Sequence, residues 1–455
     1  MTRMSTTSQG QGFDSTPFPL SAQPPVSGSG NGVHRVVITG LGAVTPYGVG
    51  APTFFDGLLS GRSTTRRIQR FDPSQYVVQI ACEVPDFDPY AYLPRKLVRQ
   101  VDPFAQYALV AAYEALAQAG LIAPTDDDSG KPAVPLVDGV DPTRVGTMIA
   151  SGIGGMTEMT DQYERLLTGG PGKVRPYLAI ALPLNMGGGQ VAIRHGLQGP
   201  SFSVVSACAS GSDALGAALD MIRSGRADVI LAGGAEAAVN PLTIAGFGAA
   251  GALSRRNDEP ERASRPFDAD RDGFICGEGA GLLVLERASH AQARGATVLA
   301  ELAGYGLTND AFHPTAPAAE GAGASRALAL ALADAAVTPE QVDHVNAHGT
   351  STPPNDLAES RALRRVFGDH TDDIPVTSTK SAIGHLLGAA GGVEAVATVA
   401  AMTEGVIPPT LNLDRQDPDI VLDVVSGEPR KASIAVAISE SFGFGGHNAV
   451  LVFRQ

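Results

Sequence analysis

The 455-residue chain contains no tryptophan and only three cysteines. So few cysteines cannot form a disulfide framework in a chain of this length, and the scarcity is typical of proteins in a reducing cytoplasm. Every apolar run is shorter than the roughly 18 residues that a membrane-spanning helix needs. The first residues also lack a basic segment followed by an apolar one. The sequence therefore predicts a cytoplasmic protein with neither a membrane span nor a secretory signal.

Positive charge is also scarce, since 33 Lys and Arg residues are opposed by 47 Asp and Glu residues, a formal net charge of −14. This balance argues against nucleic acid as a partner, because phosphate binding needs a basic face. An acidic protein partner would need a local basic patch. The hydrophobic content of 44% is ordinary for a globular protein. The length exceeds what one hydrophobic core usually serves, so we expect two core-forming units.

The order of segments along the chain indicates an α/β protein. Residues 1–33 are rich in Ser, Gly, Pro and Gln, which predicts a disordered tail, and the polar stretch 125–143 predicts a surface insertion. Elsewhere, apolar β-branched runs alternate with alanine-rich helical patterns. This alternation occurs twice, in roughly 35–295 and 296–455. Such a pattern predicts a parallel or mixed sheet that is covered by helices on both faces.

The segment SFSVVSACASGSDALGAALDMIRSG combines a predicted strand end with a helix that carries Leu215 and Ile222 on one face. Cys208 is therefore predicted at a strand-to-helix turn. Unpaired N–H groups and the helix dipole at such a turn favour the thiolate over the thiol. An isolated cysteine is more often a small buried hydrophobe, and this is the role that we assign to Cys82 and Cys276.

Two later segments add histidines. VDHVNAHGTSTPPND places His348 at the end of an apolar strand, and STKSAIGHLLGAAGGVE gives Lys380, then His385 at a predicted helix start, then Glu394 inside the helix. Each histidine could be a structural residue, or a metal ligand together with Cys208. The second option is disfavoured because no HxxxH or CxxC spacing occurs. The absence of a GxxxxGK loop and of a strand-linked GxGxxG predicts that no organic cofactor is bound.

Four motifs in one order, SACASGSDAL, NAHGTSTPPND, STKSAIGHLLGAAGGVE and SFGFGGHN, resemble the β-ketoacyl-acyl-carrier-protein synthase II branch of the ketosynthases. The resemblance extends from about Val36 to Phe453, and SFGFGGHN is similar to the motif of actinobacterial fatty-acid synthases. It implies a thiolase fold with layers α-β-α-β-α. It also implies two halves, 34–295 and 296–455, related by a pseudo-twofold axis, and pairing of the chain as a dimer.

The resemblance further implies an activity, the decarboxylative condensation that extends an acyl chain by two carbons. Cys208 would take the acyl chain from the phosphopantetheine of an acyl carrier protein. His348 and His385 would hold the malonyl carbonyl. Lys380 would organise the surroundings of His348, and Glu394 would fix the local geometry. Thr350 and Thr352 would contact the pantetheine arm, and the backbone N–H groups of Cys208 and Phe444 would form the oxyanion hole. The acyl pocket would be lined by Ile153, Phe442 and Phe444.

Carrier docking is implied for four basic residues, Arg95, Lys96, Arg99 and Arg256. A short run of positive charge is more often an ordinary solvated surface. On a chain this acidic, however, a local basic patch is the expected way to attract an acidic carrier.

The chain departs from the family pattern at Glu440, where most relatives have asparagine. Together with Asn346, Glu394 and Ser439, this position matches a structural monovalent-cation site of some relatives. The added carboxylate would either tighten a bound cation or recruit an arginine. We expect no catalytic metal.

Several functions stay open. The chain could elongate acyl chains in fatty-acid synthesis or in a type II polyketide or polyene pathway. It could form a homodimer, or be the catalytic subunit beside a chain-length factor that lacks the cysteine. A thiolase-type CoA acyltransferase would normally have a second cysteine late in the chain, and none follows Cys276. A cysteine hydrolase would need Asn or Asp behind the histidine.

Overall fold

The computed structural model describes residues 33–123 and 134–455. The tail predicted for residues 1–33 lies outside the described residues except for Val33, as does the first part of the insertion predicted for 125–143. Within the described ranges, no helix combines the length and the apolar character needed to cross a membrane.

The secondary structure alternates along the chain as predicted. The strands are β1 (Val36–Thr45), β2 (Gly48–Val49), β3 (Arg66–Arg67), β4 (Ile80–Ala81), β5 (Val145–Ala150), β6 (Val229–Glu236), β7 (Gly279–Arg287), β8 (Ala300–Asn309), β9 (His344–Asn346), β10 (Pro375–Thr377), β11 (Val406–Ile407), β12 (Asp423–Val424), β13 (Arg430–Lys431), β14 (Val436–Gly443) and β15 (His447–Arg454). The α-helices are α1 (Ala51–Leu59), α2 (Arg95–Val98), α3 (Pro103–Gln118), α4 (Met156–Gly169), α5 (Leu178–Ala181), α6 (Met186–His195), α7 (Ser210–Arg223), α8 (Pro241–Ala249), α9 (Ala288–Ala293), α10 (Ala322–Ala335), α11 (Pro353–Phe367), α12 (Lys380–Ile383) and α13 (Ala390–Glu404).

Among the described residues, eleven strands form one mixed sheet in the order β12-β10-β9-β14-β15-β8-β1-β7-β6-β5, with β2 paired to β1. Two stretches of this order repeat one pattern. In β5-β6-β7-β1 and in β9-β14-β15-β8, a parallel pair is followed by two antiparallel pairs. This repetition is the internal pseudo-twofold relation. The predicted boundary near residue 295 stays a prediction, because β1 and β8 pair directly across it.

Helices cover both faces of the sheet, and two of them lie between its halves. The central helices α7 and α13 pack on each other, and each contacts strands from both repeats. On the outer faces, α3 and α6 cover the first repeat and α10 covers β8 and β15. Strands buried on both faces are continuous apolar runs, as in β6, where every residue is buried. The result is the predicted α/β architecture with five layers.

The two central helices begin in the same way. Each follows a short 3₁₀ turn, Ala207–Ala209 before α7 and Leu387–Ala389 before α13. The first residue of each turn has a left-handed backbone, with φ of 53° at Ala207 and 50° at Leu387. Such a conformation is strained in a residue other than glycine. The two turns pack against each other, so the strained bends bring Cys208 next to the segment that follows His385.

Two local predictions were wrong. The VVSA strand end is absent, since residues 202–206 lie outside the ladders and only Ser201 bridges to Thr147. A side-chain hydrogen bond replaces the ladder there: the Ser203 hydroxyl donates to the Ile149 carbonyl at 2.6 Å.

His385 does not start a helix. It lies between α12 and the 3₁₀ turn Leu387–Ala389, where its N–H donates to the Ile275 carbonyl at 2.7 Å. The cause is Gly384, whose φ of 70° ends α12. The helical turn is thereby interrupted, and the imidazole stands in an extended stretch of chain between two helices.

Candidate active site

Cys208 lies in the 3₁₀ turn before α7 and is 9% exposed. The backbone N–H of Phe444 is directed at its sulfur. The preceding Gly443 is packed so closely that an added Cβ would lie 3.2 Å from the Cys208 nitrogen. A hydrogen bond of 2.8 Å between the hydroxyls of Ser212 and Ser441 ties α7 to β14. The end of β14 therefore covers the cysteine.

The surroundings of Cys208 favour its thiol over its thiolate. Burial raises its pKa to about 11, although the Lys380 charge and the Phe444 N–H lower it. The expectation of a thiolate at a helix start was therefore wrong for the substrate-free chain, because desolvation of the sulfur outweighs the favourable groups around it. A nucleophilic attack by this sulfur would need a base that accepts the thiol proton.

His348 and His385 come together although they are on different segments. Their ring centroids are 5.3 Å apart and their planes are at 86°. Both side chains are buried. Burial, and then the Lys380 charge, hold the pKa of each imidazole well below its usual value. Both rings are therefore neutral near physiological pH, so each can offer one N–H donor and one nitrogen acceptor.

Lys380 supplies the positive charge of the site. Its ammonium forms an ion pair with Glu394, and each side chain is 1% exposed. Burial raises the pKa of Glu394 to about 7 against the opposing effect of Lys380. The Lys380 charge acts on the pKa values of Cys208, His348 and His385. The charge of one buried residue therefore lowers the pKa of the sulfur and of both imidazoles.

Three apolar residues that were predicted for the acyl pocket surround this centre. Phe442 contacts the His348 ring at a centroid distance of 5.6 Å. Phe444 is 37% exposed and lies 6.4 Å from the Phe247 ring. Ile153 packs against the apolar cluster that contains Cys208. The structure thus brings Ile153 to the apolar cluster of Cys208 and Phe442 to His348, and the role of the three residues in binding an acyl chain stays a prediction.

Thr350 and Thr352 lie in the loop that connects β9 to α11 and begins after His348. Their hydroxyl oxygens are 2.9 Å apart and hydrogen-bonded. The residue between them, Ser351, has a left-handed φ of 70°. This bend lets the two hydroxyls approach each other, and their contact with a pantetheine arm stays a prediction.

The predicted docking residues occupy two places. The short helix α2 and the residue after it expose three of them, Arg95, Lys96 and Arg99. Arg256 is half-buried in another loop, where its guanidinium lies 3.5 Å from Glu259 and donates to the Asp270 carbonyl at 3.3 Å. A common docking surface of the four residues stays a prediction.

Two buried carboxylates of the site were missed in the sequence. Glu359 accepts hydrogen bonds from the N–H groups of His348 at 2.5 Å and Gly349 at 2.8 Å. Glu236 ends β6 beside the cysteine turn, and its charge raises the pKa of Cys208. The available signal for Glu236 was a single charge at the end of the otherwise apolar run VILAGGAE. The helical segment around Glu359 carries no comparable signal.

The site and fold define a class of enzyme, the acyltransferases of the thiolase fold, with a buried cysteine before one central helix, His385 before the other, and His348 facing His385 from the loop after β9. Residues 33–291 match the family model described as "Beta-ketoacyl synthase, N-terminal domain", and residues 299–414 match "Beta-ketoacyl synthase, C-terminal domain". The chain belongs to the β-ketoacyl synthase family.

Relatives of known sequence or structure agree with this assignment. The chain is 45% identical to 3-oxoacyl-acyl-carrier-protein synthase 2 from Synechocystis sp. over 421 residues, which are 92% of this chain and 98% of that protein. The solved ishigamide ketosynthase/chain length factor is 38% identical with a TM-score of 0.82, covering 93% of this chain and 99% of the solved chain. The AntDE:AntF complex, described as a type II PKS acyl-carrier protein with its ketosynthase, is 34% identical with a TM-score of 0.83 and the same coverage.

Proposed function

We propose that the chain condenses an acyl group held on Cys208 with a malonyl group held on an acyl carrier protein, and thereby extends the acyl chain by two carbons. The observation that carries this proposal is the pair of neutral imidazoles, His348 and His385, with ring centroids 5.3 Å apart. A hydrolase needs one imidazole to activate water. Two neutral N–H donors suit an enolate oxygen, on which negative charge develops when CO2 leaves.

In the first half-reaction, the Cys208 sulfur attacks the carbonyl carbon of the acyl thioester. The thiol proton passes to a neutral imidazole and then to the departing thiolate of the carrier, which leaves as the free thiol. The negative oxygen of the tetrahedral intermediate would accept hydrogen bonds from the N–H groups of Cys208 and Phe444, since the Phe444 N–H is already directed at the sulfur.

In the second half-reaction, the carbonyl oxygen of malonyl thioester accepts hydrogen bonds from His348 and His385. Breaking the bond to the carboxylate releases CO2 and leaves an enolate on the carrier. The enolate carbon attacks the carbonyl of the Cys208 thioester, the carbon–sulfur bond breaks, and the thiolate regains a proton. The product is the β-ketoacyl carrier, and this chemistry needs no further cofactor.

The activity is tested by incubating the purified chain with malonyl-carrier and with acyl-carrier thioesters of varied acyl length, and by measuring the intact mass of the carrier products. We expect products longer by two carbons, and no acyl group on the Cys208→Ala variant. The matched control is Cys82→Ala, which removes another buried free cysteine. Continued condensation by Cys208→Ala would refute the proposal.

We propose that the partner in assembly is a second subunit of the same fold, either another copy or a chain-length-factor-like subunit. The helix α4 supports this, since it exposes four large apolar side chains, Met159, Tyr163, Leu166 and Leu167. Native mass spectrometry of the chain alone separates the options. An active homodimer supports the first, and a monomer that becomes active only with the second subunit supports the other. An active monomer excludes both.

We propose that a monovalent cation binds among Asn346, Glu394, Ser439 and Glu440. Among the described residues, three buried oxygens of this set have no hydrogen-bond partner, namely Asn346 Oδ1, Glu394 Oε2 and Ser439 Oγ, whereas the Glu440 carboxylate lies against that of Glu359. Hard oxygen donors fit a hard cation. The described residues contain no group of three or more His, Cys, Asp or Glu placed for a metal ion, so the amide and the hydroxyl would have to complete the set.

The proton competes with this cation. Burial, and then the neighbouring Glu359 carboxylate, raise the pKa of Glu440 well above its usual value. Glu440 therefore has a carboxylate neighbour, and its protonation and cation binding are alternative ways to reduce the buried negative charge.

A further inference from the structure

Glu236 is a buried carboxylate that receives an unusual set of donors. It is 0% exposed at the end of β6. Its Oε1 accepts from the Ser151 hydroxyl at 2.8 Å and from the Ile153 N–H at 3.3 Å, and its Oε2 accepts from the N–H groups of Gly152 at 2.6 Å and Gly388 at 3.0 Å. Buried carboxylates without a basic partner are stabilised by several charge-assisted hydrogen bonds of this kind.

These donors come from two segments that matter for the reaction. Residues 151–153 follow β5 and include Ile153, which packs against the cluster around Cys208. Gly388 lies in the 3₁₀ turn that follows His385 and contacts the cysteine turn. The Glu236 carboxylate is therefore a direct bridge between a wall of the acyl pocket and the segment that carries a catalytic imidazole.

The two segments approach each other so closely at Gly152 and Gly388 that neither position has space for a side chain. A Cβ on Gly388 would lie 2.1 Å from the Gly152 nitrogen and 2.7 Å from Glu236 Oε2. A Cβ on Gly152 would lie 2.9 Å from the same oxygen. Both positions need glycine so that the backbones can approach the carboxylate. The relative position of the two segments consequently depends on the length and the acceptor oxygens of one side chain.

The charge of Glu236 does not assist the nucleophile. It raises the pKa of the Cys208 thiol and so opposes formation of the thiolate. The contribution of this carboxylate to the reaction must then be geometric. A carboxylate accepts all four hydrogen bonds, whereas an amide has one acceptor oxygen and would direct its NH2 group at backbone N–H donors.

We propose that Glu236 is a positioning residue that fixes the Ile153 side of the acyl pocket relative to the turn after His385, and thereby sets the preferred acyl length and supports condensation. The proposal rests on the condensing activity proposed above. Glu236 touches no reacting atom in this scheme and acts through the two backbone segments that it holds.

The test is Glu236→Gln, with acyl loading of Cys208 and condensation measured separately over a series of acyl-carrier lengths. We expect condensation to fall about tenfold, and the long-to-short preference in acyl loading to change by about threefold or more, because at least one charge-assisted hydrogen bond is lost. The matched control is Glu286→Gln, which removes a buried carboxylate bonded to Arg294 at the other end of the paired strands β6 and β7. That control should alter stability and leave the length preference unchanged.

An unchanged length preference and condensation rate in folded Glu236→Gln, beside an active wild type, would overturn the inference alone. A wild type that does not condense would overturn the proposed function instead. If Glu236→Gln does not fold, Ser151→Ala decides, because it removes only one donor to the carboxylate. A smaller shift of length preference in Ser151→Ala supports the inference, and no shift overturns it.

Discussion

The Lys380 ammonium pairs with the Glu394 carboxylate in a place where each side chain is 1% exposed. Removing one partner of a buried ion pair typically costs about 3–5 kcal/mol, because the remaining charge is left uncompensated. Burial lowers the pKa of both imidazoles, and the Lys380 charge of this pair lowers it further. Stability and pH dependence therefore depend on the same contact.

Lys380→Met should shift the acid limb of acyl loading to higher pH. Burial is the larger cause of the low imidazole pKa values and remains in this variant, but the Lys380 charge lowers them further, so its removal raises them and the rings become protonated at a higher pH. A protonated imidazole cannot accept the Cys208 proton. The measurement is the pH profile of acyl loading under single-turnover conditions, with the exposed Lys431→Met as control. An unshifted acid limb in the folded variant would contradict the electrostatic role of Lys380.

His348→Ala and His385→Ala should separate the half-reactions. Each variant loses one donor to the enolate oxygen, so condensation should fall by roughly 10²–10³-fold. Acyl loading should stay detectable, since the other imidazole can still accept the thiol proton. Intact mass of the protein reports loading, and carrier mass reports condensation. His313→Ala, at an exposed site, is the control, and an equal loss in both half-reactions would contradict the assignment.

Potassium should stabilise the chain more at higher pH than at lower pH, because burial and the neighbouring Glu359 carboxylate raise the pKa of Glu440, and protonated Glu440 is a poor ligand. At a hundredfold excess over the dissociation constant, the gain would be about 2.7 kcal/mol. Thermal unfolding in KCl and in choline chloride measures it. Glu440→Asn should reduce the pH dependence of the gain. Equal stability in both salts at both pH values would exclude the cation.

Acid should destabilise the fold partly through His344, which is buried in β9 and bonds the Pro375 carbonyl through Nδ1 at 2.9 Å. Burial lowers its pKa from 6.5 to about 4. As the pH falls, the imidazole of the unfolded chain takes up a proton at a higher pH than the buried imidazole does. The contribution of His344 to the free energy of unfolding is therefore full above about pH 6.5 and is lost as the pH falls towards 4. The maximal loss is roughly 3 kcal/mol.

The check is His344→Asn, whose amide can still donate to Pro375 but does not titrate. Urea unfolding between about pH 4 and 7 should show a flatter acid limb for this variant than for the wild type. The exposed His313→Asn serves as the control. Identical acid limbs for the wild type and His344→Asn would show that the buried imidazole does not contribute.

Reversing the charge of the α2 cluster should weaken use of carrier-borne substrates. The triple change of Arg95, Lys96 and Arg99 to Glu should raise KM for acyl carrier about tenfold or more at low salt, and the difference should shrink as salt increases. Acyl loading from a pantetheine thioester without the carrier should not change. The matched control reverses three exposed charges elsewhere: Arg326, Arg365 and Lys431. An equal effect from both triples would refute docking at α2.

The order and type of elements could be predicted because they follow from local patterns. The run from Val229 to Glu236 is apolar and β-branched at its start, and the residues after Cys208 repeat at helical spacing, so strand and helix are evident. The motifs around Cys208, His348 and His385 also predicted that these residues share a site. The detailed backbone at VVSA and at His385 could not be predicted, because side-chain hydrogen bonds and a left-handed glycine determine it.

The sequence by itself determined the alternation of strands and helices, the turn that bears Cys208 and the residue types available for catalysis, because these depend on neighbours along the chain. The tertiary structure decided which groups meet. Desolvation and the field of Lys380 depend on atoms contributed by distant segments, so only the fold raises the pKa of Cys208 and lowers the pKa of both imidazoles. For the same reason, only the packing of β6 against two separate turns gives Glu236 its four donors.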